Sequence, residues 1–489
     1  AGGNGDIHVN SAVRLTGNNT LTLTAERNIN INASITVEGT SGGLALNYGG
    51  NNGNSSTTPA ADTRYTANAP VNLTGDNARL SINGNAYSVI RSMADLLAID
   101  SIGLGGRYAL ALDLDASGAI YTSALVGKTA AFTGHFAGLG HTISDLVIDA
   151  GSGNQVGLFG ATANGSSVRN LGLLRGSVST TGNEVGSLVG SNRGTLDNVY
   201  ATGSVSGNGN VGGLVGSNAG GLTNAFATGD VTGNSSVGGL VGYMEAPIVN
   251  VHASGNVLGN VDVGGLVGFI QSHLTNGYAT GNVSGNGSVG GLAGNVLSGS
   301  VKNGYATGSV TSSMTTDAYL GGLVGQLRLA SLENVYATGS VTHPVATPSY
   351  AGGLVGRTES GTITNGYWDS ASTGQGSAVG TGSGTAGALT ASDRYNRASY
   401  AGFGTWSLVA GTSNVYAASN GGVQWIMIEG QTRPFLASEY STTIRNAHQL
   451  QLMAYNLGAR YTLAEDIDAS VAAGSDASDM WSSAGFVPV

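Results

Sequence analysis

Apolar and polar residues alternate in short bursts along this chain, and the bursts return at a fixed interval. The stretch Val211-Gly212-Gly213-Leu214-Val215-Gly216 is one of them. Its first position recurs as Val185, Val211, Val237, Val263 and Val289, 26 residues apart. Two more copies begin at Leu320 and Ala351, each 31 residues on, and a divergent VGLFG begins at Val156. A second burst follows each copy: NVYATGSV from Asn198, NAFATGDV from Asn224, NGYATGNV from Asn276. Strand-length alternation punctuated by glycine, repeating every 20 to 30 residues or so, predicts a solenoid of short parallel strands with one rung per repeat.

Rungs stacked about 4.8 Å apart place equivalent residues in columns. Leu196, Leu222, Ile248, Leu274, Val301, Leu332 and Ile363 form one aliphatic column, and Val205, Val231, Val257, Val283, Val310 and Val341 form another. Between them runs an asparagine column: Asn170, Asn198, Asn224, Asn250, Asn276, Asn303, Asn334 and Asn365. Asparagine tolerates left-handed backbone angles at a corner, and its amide can bond the amides above and below. This column reads as a structural ladder.

The first 86 residues carry a different rung. DIHVNSAV from Asp6 matches NININASI from Asn28 at an offset of 22, and AVRLTGNNTLTL from Ala12 is echoed by APVNLTGDNARLSI from Ala69. Alternating Leu-Thr and Ile-Asn pairs suit half-buried strands. GGNNGNSSTTPAAD (49–62) reads as a loop. A longer duplication links IRSMADLLAIDSIGLGGRYALALDLDAS from Ile90 with IRNAHQLQLMAYNLGARYTLAEDIDAS from Ile444. In it Arg107-Tyr108, Asp113, Asp115 and Ser117 align with Arg460-Tyr461, Asp466, Asp468 and Ser470. Each copy predicts a short helix, over Met93–Ile99 capped by Ser92 and over Ala447–Met453 capped by Asn446.

The expected organisation follows: coil rungs at 1–86, a small αβ insertion at 87–118, the main repeat coil at 119–370, a loop-rich closing segment at 371–437, and the start of a second module at 438–489. The fold class expected is all-β, a right-handed parallel β-helix with a short αβ insertion. Roughly a dozen rungs would make a coil about 60 Å long.

Composition sharpens this picture. Glycine fills 83 of 489 positions, charged residues make up 9% and hydrophobic residues 40%, with only 7 prolines. Disordered chains are richer in charge and collagen needs far more proline, so glycine here serves tight turns and closely stacked backbones. With no cysteine, disulfides, thiolate metal sites and cysteine nucleophiles are excluded. A net charge of −10, thinly spread, argues against nucleic acid and anionic membranes as partners. No apolar run approaches the roughly 18 residues of a membrane span, so no direct membrane insertion is expected. The chain opens Ala1-Gly2-Gly3, without initiator methionine or signal peptide, which reads as processed or excised from a longer array.

VGGLVGSNAGGLTNAFATG resembles the GLUG repeat, and TLTLTAERNININASITVEG resembles the β-helical repeats of filamentous-haemagglutinin-type exoproteins. GHFAGLGHTISDLVI, YWDSASTGQG and VQWIMIEGQTRPFL are similar to flanks of the same family. The resemblance covers nearly the whole chain. It implies a secreted surface adhesin of a Gram-negative bacterium, exported through an outer-membrane pore of the two-partner type. Right-handedness is implied by the same resemblance and by the usual crossover preference. The secretion domain and anchor typical of that family are not found in the sequence, so the export route rests on analogy.

One column offers binding chemistry. Tyr200, Phe226, His252, Tyr278, Tyr305, Tyr336 and Tyr367 stand in register. In related rungs, Asp145 precedes Leu146 and Ile148, and Asn170 precedes Leu171 and Leu173, so the residues one and three after the corner point inward. Tyr200 and its equivalents then point outward; parity counted from Leu196 across the corner gives the reverse, but corners break parity, so outward is the expectation. An exposed aromatic ladder of Tyr200, Phe226, Tyr278, Tyr305, Tyr336 and Tyr367 stacks on sugar rings, with Thr202, Thr228, Thr280, Thr307 and Thr338 supplying hydroxyls. That is the secondary reading of the column; the one preferred is that the rings stack on one another and stiffen the coil.

Other motifs fall away. Asp113-Leu114-Asp115-Ala116-Ser117-Gly118 starts like a calcium loop, but Ala124 stands where the bidentate glutamate belongs. Gly127-Lys128-Thr129 lacks the earlier glycine of a phosphate-binding loop, since position 122 is Thr122. His135 and His141 flank the GLGHT turn singly. Asp197, Asp230, Asp262 and Asp317 are scattered, whereas glycoside cleavage needs paired carboxylates. The expectation is therefore no enzyme, no metal and no cofactor. The partners expected are an extracellular polysaccharide or cell-surface receptor, and the secretion pore. The leading reading is a filamentous adhesin or biofilm-matrix spacer. A passive stalk presenting a toxin or haem-capturing domain comes next, then an ice-binding threonine row, which Ser254 interrupts, and last a polysaccharide-degrading enzyme.

Overall fold

In the computed structural model of the chain, residues 5–50, 64–313, 318–344, 350–464, 466–474, 476 and 478–489 are described. Positions 51–62 of the expected loop, and Asp317, lie outside them. The fold is a parallel β-solenoid whose contacts divide into two compact units. The first holds residues 1–181, 186–204 and 219–225; the second holds 182–185, 205–218 and 226–489.

The first unit begins with three-sided rungs. Strands Ile7–Val9, Ile29–Ile31 and Tyr65–Ala67 pair in parallel, with Ile7 opposite Ile29 and Ile29 opposite Tyr65. Val13, Ile35 and Val71 form the next side, and Leu21, Leu44 and Leu80 the third. The 22-residue offset is thus one rung. Alternation decides which side chains are enclosed: Ile29, Ile31, Ile35 and Val37 are fully buried while Asn30 and Thr36 between them are not.

A tight antiparallel hairpin, Arg79–Ile82 against Asn85–Ile90, turns at Asn83-Gly84, both at positive φ. It leads into the αβ insertion. Helix Met93–Leu97 is capped by Ser92, whose Oγ accepts from Asp95 N at 3.2 Å. Strand Arg107–Leu110 then pairs with His135–Ala137, which opens the main coil.

In the second unit the repeat becomes register. Val185, Val211, Val237, Val263, Val289, Leu320 and Ala351 pair in sequence across one seven-stranded parallel sheet. The valine column from Val205 to Val341 is buried at every position. Glycine is required where rungs meet. A Cβ on Gly239 would overlap the carbonyl oxygen of Gly265, and one on Gly265 that of Gly291.

The closing segment is more ordered than expected. Within 371–437, strands Thr405–Leu408, Val415–Ser419, Val423–Ile428 and Phe435–Leu436 form an antiparallel sheet. Residues expected to open a separate module at 438–489 join this sheet in one core, which holds Trp425, Phe435, Leu452, Met480 and Trp481. The duplicated features recur there. Helix Ala447–Leu452 is capped by Asn446 accepting from Gln449 N at 2.9 Å. Tyr461 donates its hydroxyl to Asn456 O at 2.7 Å, as Tyr108 does to Gly103 O at 2.6 Å.

Candidate functional site

The asparagine corners explain how the rungs hold together. All eight residues, from Asn170 to Asn365, have φ between 51° and 56°. An L-residue in this region pays a steric penalty that asparagine bears better than most. Within the first unit Asn198 Nδ2 donates to Asn170 Oδ1 at 2.8 Å, and Asn224 Nδ2 donates to Asp197 at 2.9 Å. Within the second, Asn276 donates to Asn250, Asn303 to Asn276, Asn334 to Asn303 and Asn365 to Asn334, at 2.9 to 3.1 Å. A second amide row escaped the sequence reading: Asn208, Asn234, Asn260 and Asn286 bond in series at 3.1 to 3.4 Å. Its 26-residue spacing was visible, but the Gly-Asn pair at each position reads as turn composition.

The aromatic column does leave the coil interior, because its flanking residues fill that interior: Val251, Ala253 and Ala279 are buried. From Phe226 to Tyr336 the rings stack face to face. Phe226–His252, His252–Tyr278, Tyr278–Tyr305 and Tyr305–Tyr336 have centroids 4.7 to 5.0 Å apart and are within 8° of parallel.

Exposure is where the expectation fails. Tyr305 and Tyr336 are 0% exposed and Tyr278 is 5% exposed, because the C-terminal segment covers them. Tyr400 meets Tyr336 and Tyr367 edge-on, Trp425 lies against Tyr336, and His448 stacks on Tyr278. Tyr336 donates to Pro434 O at 2.8 Å, and the Thr338 hydroxyl donates to Ser478 O. No sugar reaches Tyr278, Tyr305 or Tyr336 while this roof is in place. Tyr200, Phe226 and Tyr367 remain half-buried, and Tyr200 lies over Gly172 of the neighbouring rung. Rung periodicity shows which face a side chain takes; it carries no signal about a non-repeating segment that later covers that face.

Under the roof sits a polar cluster that sequence reasoning missed. Glu439, 4% exposed, accepts from Tyr305 Oη at 2.9 Å, Leu436 N at 2.7 Å and His448 Nδ1 at 2.6 Å. Three donors compensate a carboxylate taken out of water. Burial, and then the Glu439 charge, push the Tyr278 and Tyr305 hydroxyls well above their ordinary range. Burial likewise lowers His252, reinforced by His448. Nearby, Asp369 and Arg433 are wholly buried and bond at 2.6 Å. Burial alone would raise the Asp369 carboxyl, but Arg433 and Arg394 hold it below its usual range. Asp369 also caps a helical turn through Ala371 N and Ser372 N. These groups lock the roof to the coil.

The discarded motifs have structural employment. Asp115 Oδ1 accepts from Ser117 N and Asp468 Oδ1 from Ser470 N, both at 2.9 Å, in matching turns. Asp113 holds the GLGHT turn through Thr142 N and His141 Nδ1, contacts that keep its carboxyl below the usual range. The amides of Gly127 and Lys128 bond the Asp100 carboxylate, where a phosphate would have to sit. His135 bonds Ser167. Among the described residues no three His, Asp or Glu side chains are grouped as a metal site would need.

Comparison with known proteins agrees with the repeat. The model of the GLUG motif matches residues 316–342. Halomucin of Haloquadratum walsbyi is 42% identical over 132 residues, 24% of this chain and 1% of that protein. The chain therefore spans about 1% of the length of this curated relative. A structure from Bacteroides ovatus, provisionally called an immunoglobulin A1 protease, aligns at 22% identity and a TM-score of 0.38, over 57% of this chain and 84% of that one. The rung register makes the molecule a β-helical repeat protein, and the motif match shows that it carries the GLUG motif.

Proposed function

We propose that this chain is a β-helical spacer within an extracellular filamentous adhesin or biofilm-matrix protein, mediating cell–cell or cell–surface attachment, and that it has no enzymatic role. The carrying observation is the use to which its repeated side chains are put. The asparagines bond the next rung, the valines fill the coil and most rings of the aromatic column stack on each other. A sequence that repeats side chains for stacking builds length and stiffness. The stretch shared with halomucin, a mucin by name, supports a location outside the cell. Export through an outer-membrane pore of the two-partner type, from a Gram-negative cell, follows the filamentous-haemagglutinin resemblance. The partners proposed are an extracellular polysaccharide or a cell-surface receptor.

Beads coated with the purified chain test this reading. They are expected to capture bacterial cells or matrix polysaccharide above beads coated with an acidic β-sheet protein of similar size. If they capture neither, the adhesin reading fails and the passive stalk takes its place. The roof favours that second reading on one point, since it withdraws Tyr278, Tyr305 and Tyr336 from any lateral ligand.

A further inference from the structure

The segment from Ile444 repeats the one from Ile90, and the two copies differ in what covers them. In the first copy, strand Arg107–Leu110 has a parallel neighbour on each edge, Asn85–Ile90 on one and His135–Ala137 on the other. In the second, Thr443–Ile444 pairs with Thr462–Leu463 in the same register, Ile444 opposite Leu463 as Ile90 is opposite Leu110. Among the described residues that sheet holds these two strands only, so the far edge of Thr462–Leu463 is open. Its inner side is occupied, since Ala447 and Leu452 of the adjoining helix belong to the roof core.

Burial records the missing neighbour. Leu110 is 0% exposed, whereas its equivalent Leu463 is 64% exposed. Ala116 is buried and its equivalent Ala469 is exposed. Asp113 accepts from Thr142 N at 2.8 Å, from the Thr142 hydroxyl at 3.2 Å and from His141 Nδ1 at 3.2 Å. Its equivalent Asp466 is exposed, and nothing among the described residues bonds its carboxylate. The remainder of the second copy already has the shape of the first, with Tyr461 bonded to Asn456 O and Asp468 to Ser470 N. An open strand edge beside an exposed leucine is a template for strand addition, and one held in shape beforehand loses little entropy on pairing.

We propose that the open edge of Thr462–Leu463, with Leu463 and Asp466, is a docking face for a GLGHT-type rung carried by a further coil of this same repeat. The first copy identifies the occupant: there His135–Ala137 fills the edge, and His141 and Thr142 fill the carboxylate. The incoming strand adds in parallel at Thr462–Leu463 and gives Leu463 the burial of Leu110. Asp466 accepts from the threonine amide and the histidine ring of the incoming turn. The face lets one coil start another, which extends the spacer reading without resting on it. Bead capture of cells can fail while the rung still docks.

The test appends a second copy of residues 128–181 after Val489 of the full chain, where the tether supplies a high effective concentration. The appended copy alone is isotope-labelled by ligation, and its hydrogen exchange is followed by NMR. Its first strand and GLGHT turn are expected to exchange about a hundredfold or more slower than an unfolded chain. Leu463→Arg and Asp466→Ala are each expected to return the appended rung to fast exchange, and Leu463→Ile to keep it protected. Both side chains are exposed in the unextended chain, so its thermal melt is expected to stay in place, which separates lost docking from lost folding. If the melt of Leu463→Arg moves, Asp466→Ala decides. An appended rung that exchanges freely overturns the proposal, as does protection that survives both substitutions. Self-association of the unextended chain that Leu463→Arg abolishes gives the face to a second copy and overturns the proposal too.

Discussion

Asn276 shows how one residue serves two demands. Its φ of 56° places it in the left-handed region, and its amide donates to Asn250 and accepts from Asn303. Alanine there loses both bonds and pays a steric cost of about 1–2 kcal/mol for the backbone, with about 1 kcal/mol for each lost bond. Asn276→Ala is expected to destabilise the second unit by about 3–4 kcal/mol in urea unfolding. Asn276→Gly, which accepts the backbone freely, is expected to cost about 1–2 kcal/mol less. Equal losses for the two would mean that the left-handed corner contributes nothing.

The paired strands were legible in the sequence because each rests on a repeated local pattern. Val211 to Val263 recur at a constant offset, and that offset became register. The capped helices at Met93 and Ala447 were legible for a similar reason, since Ser92 and Asn446 sit just before their first turns. The roof was not legible. Its strands, such as Val423–Ile428, occur once and pack on the coil through contacts like Tyr305–Glu439, 134 residues apart. No periodicity announces such a pairing. For the same reason the ladder's outward direction could be read from Val251 and Ala253, whereas its burial could not. Tyr305 is where roof and ladder are coupled. Tyr305→Phe leaves Glu439 one donor short and is expected to cost about 1–2 kcal/mol. Tyr305→Ala opens a cavity worth about 3–5 kcal/mol and should shift Trp425 fluorescence to the red as water enters. An unshifted spectrum would show that the roof does not depend on the ladder.

At the scale of the molecule, the buried titratable groups set limits at both ends of the pH range. Tyr278, Tyr305 and Tyr336 ionise less readily in the fold than at the ordinary value of 10.0. Their contribution is complete below pH 10 and is lost as pH rises above it. Absorbance at the tyrosinate band is expected to show these rings titrating only as the second unit unfolds. Asp369 has the opposite sign. Its carboxyl is held below the ordinary 3.8, so its contribution is complete above that value and falls away in stronger acid. Asp369→Asn should abolish the part of the acid transition that follows this group, and an unchanged acid limb would refute the assignment.

The amide ladder has one more consequence, for how such a chain changes over generations. Every Nδ2 in the bonded series points to the preceding rung, so each repeat presents the same donor below and the same acceptor above. A recombination error that duplicates or deletes one whole 26-residue copy rejoins like to like. The new junction needs no compensating mutation. Coil length is then free to drift by whole turns among descendants; the 31-residue copies show that residues added outside the ladder strands leave the ladder intact, while a slip within a ladder strand breaks it.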